Sequence, residues 1–267
     1  MTRGAGSDVP ADRKEIETGN MMRNYYGSLC TEMYEILHKE APQDELTFYL
    51  SYAEKGMSIL EPLCGSGRFL IPFLEKGYDI SGMDLSKEML AKLKEKSPNA
   101  KVIRGDILEF DSEQKYDYIF ISSGSVSLFT DMALCEKILL KMKCLLKKGG
   151  KFVFAVDTIA DRCPDNSEYK ISISVKTKDG FDLVLKTKNN YDEITCTQFS
   201  PGIYELYNGT ELLQKEEMDF QTHLYKFGEM ERYLERAGFT NIIAYSSYEK
   251  TIAENNQTEM FLYECSF

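Results

Sequence analysis

Three carboxylates, Glu61, Asp84 and Asp106, each stand where a short, strand-like run gives out. Glu61 follows Ile59 and Leu60 and opens a loop holding two glycines, Gly65 and Gly67, after which residues 68–76 read as a helix. Strand, glycine loop and helix together build a nucleotide-sized crevice at the carboxyl ends of an α/β sheet. Glycine serves there because it takes positive φ and lets a ligand lie against bare backbone, while the amides opening the helix face that ligand. Asp84 ends the run 78–83, where a carboxylate can accept hydrogen bonds from both hydroxyls of a ribose. Asp106 lies just past the run 101–104, where it can accept from the exocyclic amine of an adenine. The chemistry expected of such a set is nucleoside recognition by acids on neighbouring strand ends.

The elements that must position these acids alternate in type. Strands are predicted near 58–61, 79–83, 101–104, 117–122 and 151–156, with helices near 67–76, 86–96 and 132–147. Gly77 and Gly149 fall where they would end two of those helices. Alternation of this kind implies a parallel sheet with right-handed crossovers. Two further helices, near 30–38 and 44–54, precede the first strand, and residues 1–20 read as a mobile tail. After Asp157 the pattern changes to alternating runs separated by turn signals, Asp179-Gly180 and Asn208-Gly209 above all. That segment predicts an antiparallel meander. A helix over 227–237, stopped by Gly238, and a hairpin of 242–245 with 260–265 then finish the main sheet.

In this order the segments resemble the class I S-adenosylmethionine-dependent methyltransferases of small-molecule type. Residues 61–67 match their first motif, Asp84-Leu85-Ser86 the second acidic motif, and Gly105-Asp106-Ile107 the third. Residues 116–120 resemble their fourth strand and 146–152 the approach to the fifth, so the likeness covers about 55–158 and resumes at 225–267. One position departs from the pattern: where the family usually has glycine, two residues after the first carboxylate, this chain has Leu63 behind Pro62. The resemblance implies an α/β fold with a seven-stranded, mostly parallel Rossmann-like sheet and an antiparallel β insertion as cap. It divides the chain into the tail 1–20, a helical lid 21–55, a core of 56–159 and 225–267, and the cap 160–224.

The same resemblance implies S-adenosyl-L-methionine as cofactor. It would be held by Glu61, Gly65, Ser66, Gly67, Arg68, Asp84, Leu85, Met89, Gly105, Asp106, Ile107 and Ser122. Other uses of these residues stand beside that one. Asp84 could cap the helix after it, Glu61 could be a buried acid satisfied by loop amides, and Arg68 could meet a methionine carboxylate or a nearby acid. Because a sulfonium methyl is already a good leaving group, holding the acceptor in line and excluding water is the main task. A base is needed only if the acceptor must lose a proton. Tyr26, in the segment expected to fold over the cofactor, and His223, at the exit of the cap, are the catalytic candidates.

Composition narrows the partners. A formal net charge of −11 argues against nucleic acid, whose binding rests on phosphate neutralisation. No apolar run approaches the ~20 residues of a membrane helix. The seven cysteines are scattered without a C-x-x-C pair, and the two histidines lie far apart, so neither a disulfide framework nor a metal site is expected. A cytoplasmic enzyme acting on the nitrogen or oxygen of a small-molecule acceptor fits best, and the open edges of a cap sheet leave room for a homodimer. The rival readings are a nicotinamide-dependent oxidoreductase, which would want glycine where Leu70 stands, and an inert cofactor-binding subunit.

Overall fold

The computed structural model describes residues 24–267; the expected tail, 1–20, lies outside the described residues. Strands β1 (Ser58–Pro62), β2 (Asp79–Asp84), β3 (Lys101–Arg104), β4 (Tyr116–Ile121) and β5 (Leu146–Asp157) lie parallel, β13 (Met260–Ser266) runs antiparallel beside β5, and β12 (Thr240–Tyr245), antiparallel to β13, regains the common direction at the edge. The order across it is β12-β13-β5-β4-β1-β2-β3. Order therefore reverses between β1 and β4, and the crevice of such a sheet opens at that switch point. Successive residues of the central strands serve opposite faces, as strand geometry requires. Leu60, Ile119, Phe152 and Phe154 join one core cluster, and Ile59, Tyr118, Phe120 and Val153 join the other. Helices α5 (Met132–Leu145) and α6 (Glu229–Ala237) cover the first face, while α2 (Gln43–Leu50), α3 (Leu70–Glu75) and α4 (Lys87–Lys96) cover the second.

Between β5 and α6 the chain builds a second, antiparallel sheet of six strands. Its long strands are β6 (Asn166–Lys176), β7 (Asp182–Asp192), β9 (Gly202–Asn208) and β10 (Glu211–Met218), and the two hairpin turns fall at Gly180 and Gly209, both with positive φ. Short strands β8 (Thr197–Phe199) and β11 (Gln221–His223) pair with each other at its end. Helix α1 (Ser28–Leu37) belongs to this sheet: Leu29, Cys30 and Met33 pack against Leu183, Tyr204 and Met218. Since α1 has no side-chain cap of its own, Glu216 on β10 accepts from the amides of Leu29 and Cys30 at 3.0 and 3.1 Å. By contrast α2 is locked into the main core, where the Tyr49 hydroxyl donates to the Ile121 carbonyl and the Tyr118 hydroxyl to the Tyr49 carbonyl.

Three local expectations need correcting. Gly149 does not end a helix: α5 stops at Leu145, and Gly149 lies inside β5, at an irregularity where pairing with β4 jumps from Tyr116–Leu146 to Tyr118–Lys151. The last run of the predicted meander, after Asn208-Gly209, is not one strand: it breaks after Met218, because 221–223 leaves β9 to pair with β8. Helix α3 opens three residues later than its apolar pattern suggests, since residues 63–69 are spent in turns. Leu70, where a dinucleotide-binding helix would carry a packing glycine, is instead fully buried. The close approach is provided from the other side by Gly82 on β2: a Cβ there would fall 2.5 Å from Leu70 Cδ1 and 2.7 Å from Cys64 Sγ.

Gly82→Ala should therefore force β2 away from the loop. Urea denaturation should show a loss of about 2 kcal/mol, the usual cost of overpacking a core; an unchanged midpoint would show that the loop is not held by this contact.

Candidate active site

At the carboxyl end of the main sheet lies a cavity of about 550 Å³, within the size range of small-molecule sites. Its floor is made by the strand ends: Leu63, Gly65 and Arg68 after β1, Asp84, Leu85 and Ser86 after β2, Asp106 after β3, and Ser123 and Ser125 after β4. Asn24, Tyr25, Tyr26, Tyr34 and His38 close it from the amino-terminal side, and Leu128, Phe129, Asp131 and Leu134 from the side of α5.

Asp84 holds the floor together. Its Oδ2 accepts from the Gly65 amide at 2.8 Å and its Oδ1 from the Ser86 amide at 2.9 Å, joining the end of β2 to the loop after β1. A carboxylate has about four acceptor sites, so two bonds leave room for a ligand's hydroxyls. Burial pushes the Asp84 carboxyl above the usual range, opposed by these amides. The expected alternative, that Asp84 caps α4, goes to its neighbour: Ser86 Oγ accepts from Met89 N at 3.1 Å and donates to the Tyr26 carbonyl at 2.7 Å.

Leu63 explains how the loop keeps its course without the customary glycine. Its φ is +57°, the left-handed conformation a glycine would adopt freely, and its side chain packs against the core. Holding a leucine there costs about 1–2 kcal/mol, which the surrounding packing must offset.

Glu61 is buried beneath this loop, with Oε1 accepting from Ser122 Oγ at 3.3 Å and Oε2 lacking any partner. Burial holds its carboxyl well above the usual range, with Ser122 and Arg68 opposing. Ser66 Oγ and Arg68 Nε are also buried without partners. Half of the six such orphaned side-chain atoms among the described residues thus belong to the segment 61–68. Buried polar atoms are ordinarily paired, so this concentration is where a polar ligand would restore the balance. Arg68 keeps its other end occupied: Nη2 donates to Ser123 Oγ at 2.5 Å and lies 4.0 Å from Glu45 Oε2. It therefore does pair with an acid, and still lines the cavity.

Tyr26 lines the cavity and meets Tyr34 edge to face at 6.2 Å. Burial pushes both phenols up, so each is a neutral donor at ordinary pH. His223 is placed elsewhere. It is buried on β11, with Nε2 2.8 Å from Glu229 Oε1 and its ring against Tyr225, and it is not among the cavity-lining residues. Of the other expected contacts, Leu85, Met89 and Asp106 reach the cavity. Asp106 Oδ1 accepts from Leu108 N at 2.8 Å. Gly67, Gly105 and Ile107 shape the wall from behind: Gly67 abuts Leu93, Gly105 lies against Met83, and Ile107 is in the core.

Glu45 and His38 were not singled out from the sequence. Glu45 is buried and accepts from both the amide and the hydroxyl of Ser123, at 2.8 and 3.2 Å, so α2 fixes the loop after β4. The signal was present: Glu45 shares a helical face with Phe48, Tyr49 and Tyr52, an acid on an apolar stripe.

Residues 59–150 match the methyltransferase domain family. YqeM of Bacillus subtilis, named as a methyltransferase, is 30% identical over 51% of this chain and 58% of its own length. Malonyl-[acyl-carrier protein] O-methyltransferase 1 of Ilyobacter polytropus is 32% identical over 42% of each. The chain thus spans about half the length of the curated relatives it matches. Among solved structures, an S-adenosylmethionine-dependent methyltransferase from Clostridium acetobutylicum aligns with TM-score 0.71 at 17% identity, covering 88% of this chain and 96% of that one. The sugar N-methyltransferase KedS8 from Streptoalloteichus aligns with TM-score 0.70 at 17% identity over 98% of both. The fold is that of the class I S-adenosylmethionine-dependent methyltransferases, and residues 59–150 match a methyltransferase domain.

Removing Glu45 leaves the Ser123 amide without its acceptor and Arg68 without its nearby counter-charge. Glu45→Ala should cost about 2 kcal/mol in urea denaturation, within the range for a broken buried charged network. A loss indistinguishable from zero would show that α2 does not hold this loop.

Proposed function

We propose that this chain transfers the methyl group of S-adenosyl-L-methionine to a nitrogen or oxygen of a small-molecule acceptor. What carries the reading is the set of buried, partnerless atoms in segment 61–68, on a floor whose strand ends present Asp84 and Asp106. The residues suit the cofactor. Glu61 Oε2 and Arg68 are complementary to an amino acid's ammonium and carboxylate, the spare acceptor sites of Asp84 to ribose hydroxyls, and Asp106 to an adenine amine, with Leu85, Met89 and Phe129 as apolar walls. When bound, S-adenosylmethionine supplies a methyl on a sulfonium, already poised to leave. The protein's part is to orient the acceptor and exclude water, and Tyr26 is placed to do both as a neutral donor on the cavity wall.

In this reading residues 21–55, of which 24–55 are described, act as lid and residues 160–224 as cap over the acceptor, with residues 56–159 and 225–267 forming the core. A small acceptor agrees with the cavity's volume and with KedS8, a sugar N-methyltransferase of the same fold. The match to an O-methyltransferase keeps oxygen in the proposal. The seven cysteines are all free, and no helix among the described residues is long and apolar enough to cross a membrane; a cytoplasmic setting suits both. Its net charge of −11 sets it against nucleic acid as a partner. The exposed edges β6 and β10 are where a homodimer would form. A nicotinamide cofactor is disfavoured because Leu70 fills the place of the third glycine.

Calorimetric titration with S-adenosylmethionine tests the reading. Asp84→Ala should weaken binding ~10-fold or more, the value of charge-assisted hydrogen bonds; equal affinity in the variant would contradict the assignment. Binding should also depend on pH in a definite direction. Glu61's carboxyl is raised by burial in the free protein, and a cationic ligand group favours its ionised form, so affinity should rise as pH rises. Glu61→Gln should flatten that dependence; an unaltered slope would remove Glu61 from the site.

A further inference from the structure

One acid on this edge of the sheet is unlike the rest. Asp157 ends β5, on the far side of the switch point from Asp84 and Asp106. Its backbone is fully engaged, the amide donating to Ser127 Oγ at 2.8 Å and the carbonyl accepting from Tyr225 N at 2.9 Å. Its carboxylate has no hydrogen bond and no cation among the described residues, whereas Glu45, Glu61, Asp84 and Asp106 each accept at least one. Space for it is made by Gly124, in the loop after β4: a Cβ there would run into the carboxylate, with Asp157 Cγ only 3.1 Å away. Gly124, at φ +67°, stands between the cavity-lining Ser123 and Ser125, and the cavity-lining Tyr26 feels the Asp157 charge, so Asp157 borders the cavity at this loop without itself being one of its lining residues. The residue as a whole is half-buried.

We propose that Asp157 receives the acceptor as a protonated amine and takes its proton, which makes a primary or secondary amine the substrate class. This rests on the methyl-transfer reading above and narrows it. An unpaired carboxylate in a half-buried place is costly, and an ammonium is the group that repays it with both charge and hydrogen bonds. Burial pushes the Asp157 carboxyl up to about 7, with the neighbouring Asp161 adding to the rise. That is where a proton acceptor works best at neutral pH. The titratable groups electrostatically facing it are Tyr26 and Asp161. The step balances simply. One proton passes from the ammonium to the carboxylate, leaving a neutral carboxyl and a free lone pair on nitrogen. That lone pair forms the bond to the methyl carbon as the methyl–sulfur bond breaks, its electron pair staying on sulfur. The carboxyl then returns its proton to solvent.

The test separates this proposal from the reading it rests on. In protein loaded with S-adenosylhomocysteine, the 13C carboxyl resonance of Asp157, identified by its loss in Asp157→Asn, is titrated with 2-aminoethanol and with ethylene glycol. The amine should lower the midpoint of Asp157 and the glycol should leave it in place; no shift with the amine, or equal shifts with both, overturns the proposal. With S-adenosylmethionine and a panel of primary amines and matched alcohols, Asp157→Asn should lose amine-dependent S-adenosylhomocysteine formation at least ~100-fold while cofactor affinity holds. Transfer to amines undiminished in the variant, or transfer by the wild type to alcohols alone, would refute it. Failure of the wild type to bind S-adenosylmethionine would instead sink the underlying reading. The variant should also melt no lower than wild type at pH 8, since it removes an unpaired carboxylate; a lower melting temperature would mark Asp157 as structural.

Discussion

The bond on which this site depends is the one Asp84 makes across two chain segments. A single carboxylate accepts from the Gly65 amide on one side and the Ser86 amide on the other, fixing the loop after β1 to the start of α4. Because both donors are backbone groups, the carboxylate is positioned without the entropy of a second side chain. Ser86 then passes the constraint on to the amino-terminal segment by donating to the Tyr26 carbonyl. Floor and cover of the cavity are thereby held in one hydrogen-bonded chain.

A second network does the same at the other end of the crevice. Glu45 on α2 holds the Ser123 amide and hydroxyl, Ser123 accepts from Arg68, and Ser122 reaches Glu61. These contacts keep a buried arginine and buried acids at fixed places, and they leave Glu61 Oε2 and Arg68 Nε without partners. Low local dielectric makes such unfinished networks expensive, and it makes a ligand that completes them correspondingly well held. The floor is thus built ahead of any ligand, with its cost borne by the packing of α2, α3 and Gly82 beneath it.

Much of this was legible in the sequence. The alternation of strand and helix, the acids at three strand ends and the two glycine-marked hairpins all found their counterparts, because each rests on short-range rules of pattern and turn chemistry. What stayed hidden depends on distant neighbours. Gly149 reads as a helix stop, yet it serves a bulge whose cause is the register with β4. The pairing of β8 with β11 involves only three residues each, too few to show a period. His223 looked available because its partner Glu229 lies on a different element, and Glu45 looked ordinary until α2 was seen to face the loop after β4. Leu63 is the instructive case: the sequence marks it only as a departure from the family pattern, and the structure shows the leucine itself in the left-handed conformation that a glycine takes freely.

The proposed function needs the acids at the carboxyl edge of the sheet to form a preformed floor on which a nucleoside would be held. A crystal structure of the chain with S-adenosylhomocysteine tests this most directly. Ribose hydroxyls should lie within ~3 Å of the Asp84 carboxylate, hydrogen-bond range, with the amino acid end of the ligand completing Glu61 Oε2 and Arg68. A ligand lodged elsewhere, with Asp84 still bound only to its two amides and Glu61 Oε2 still alone, would contradict it.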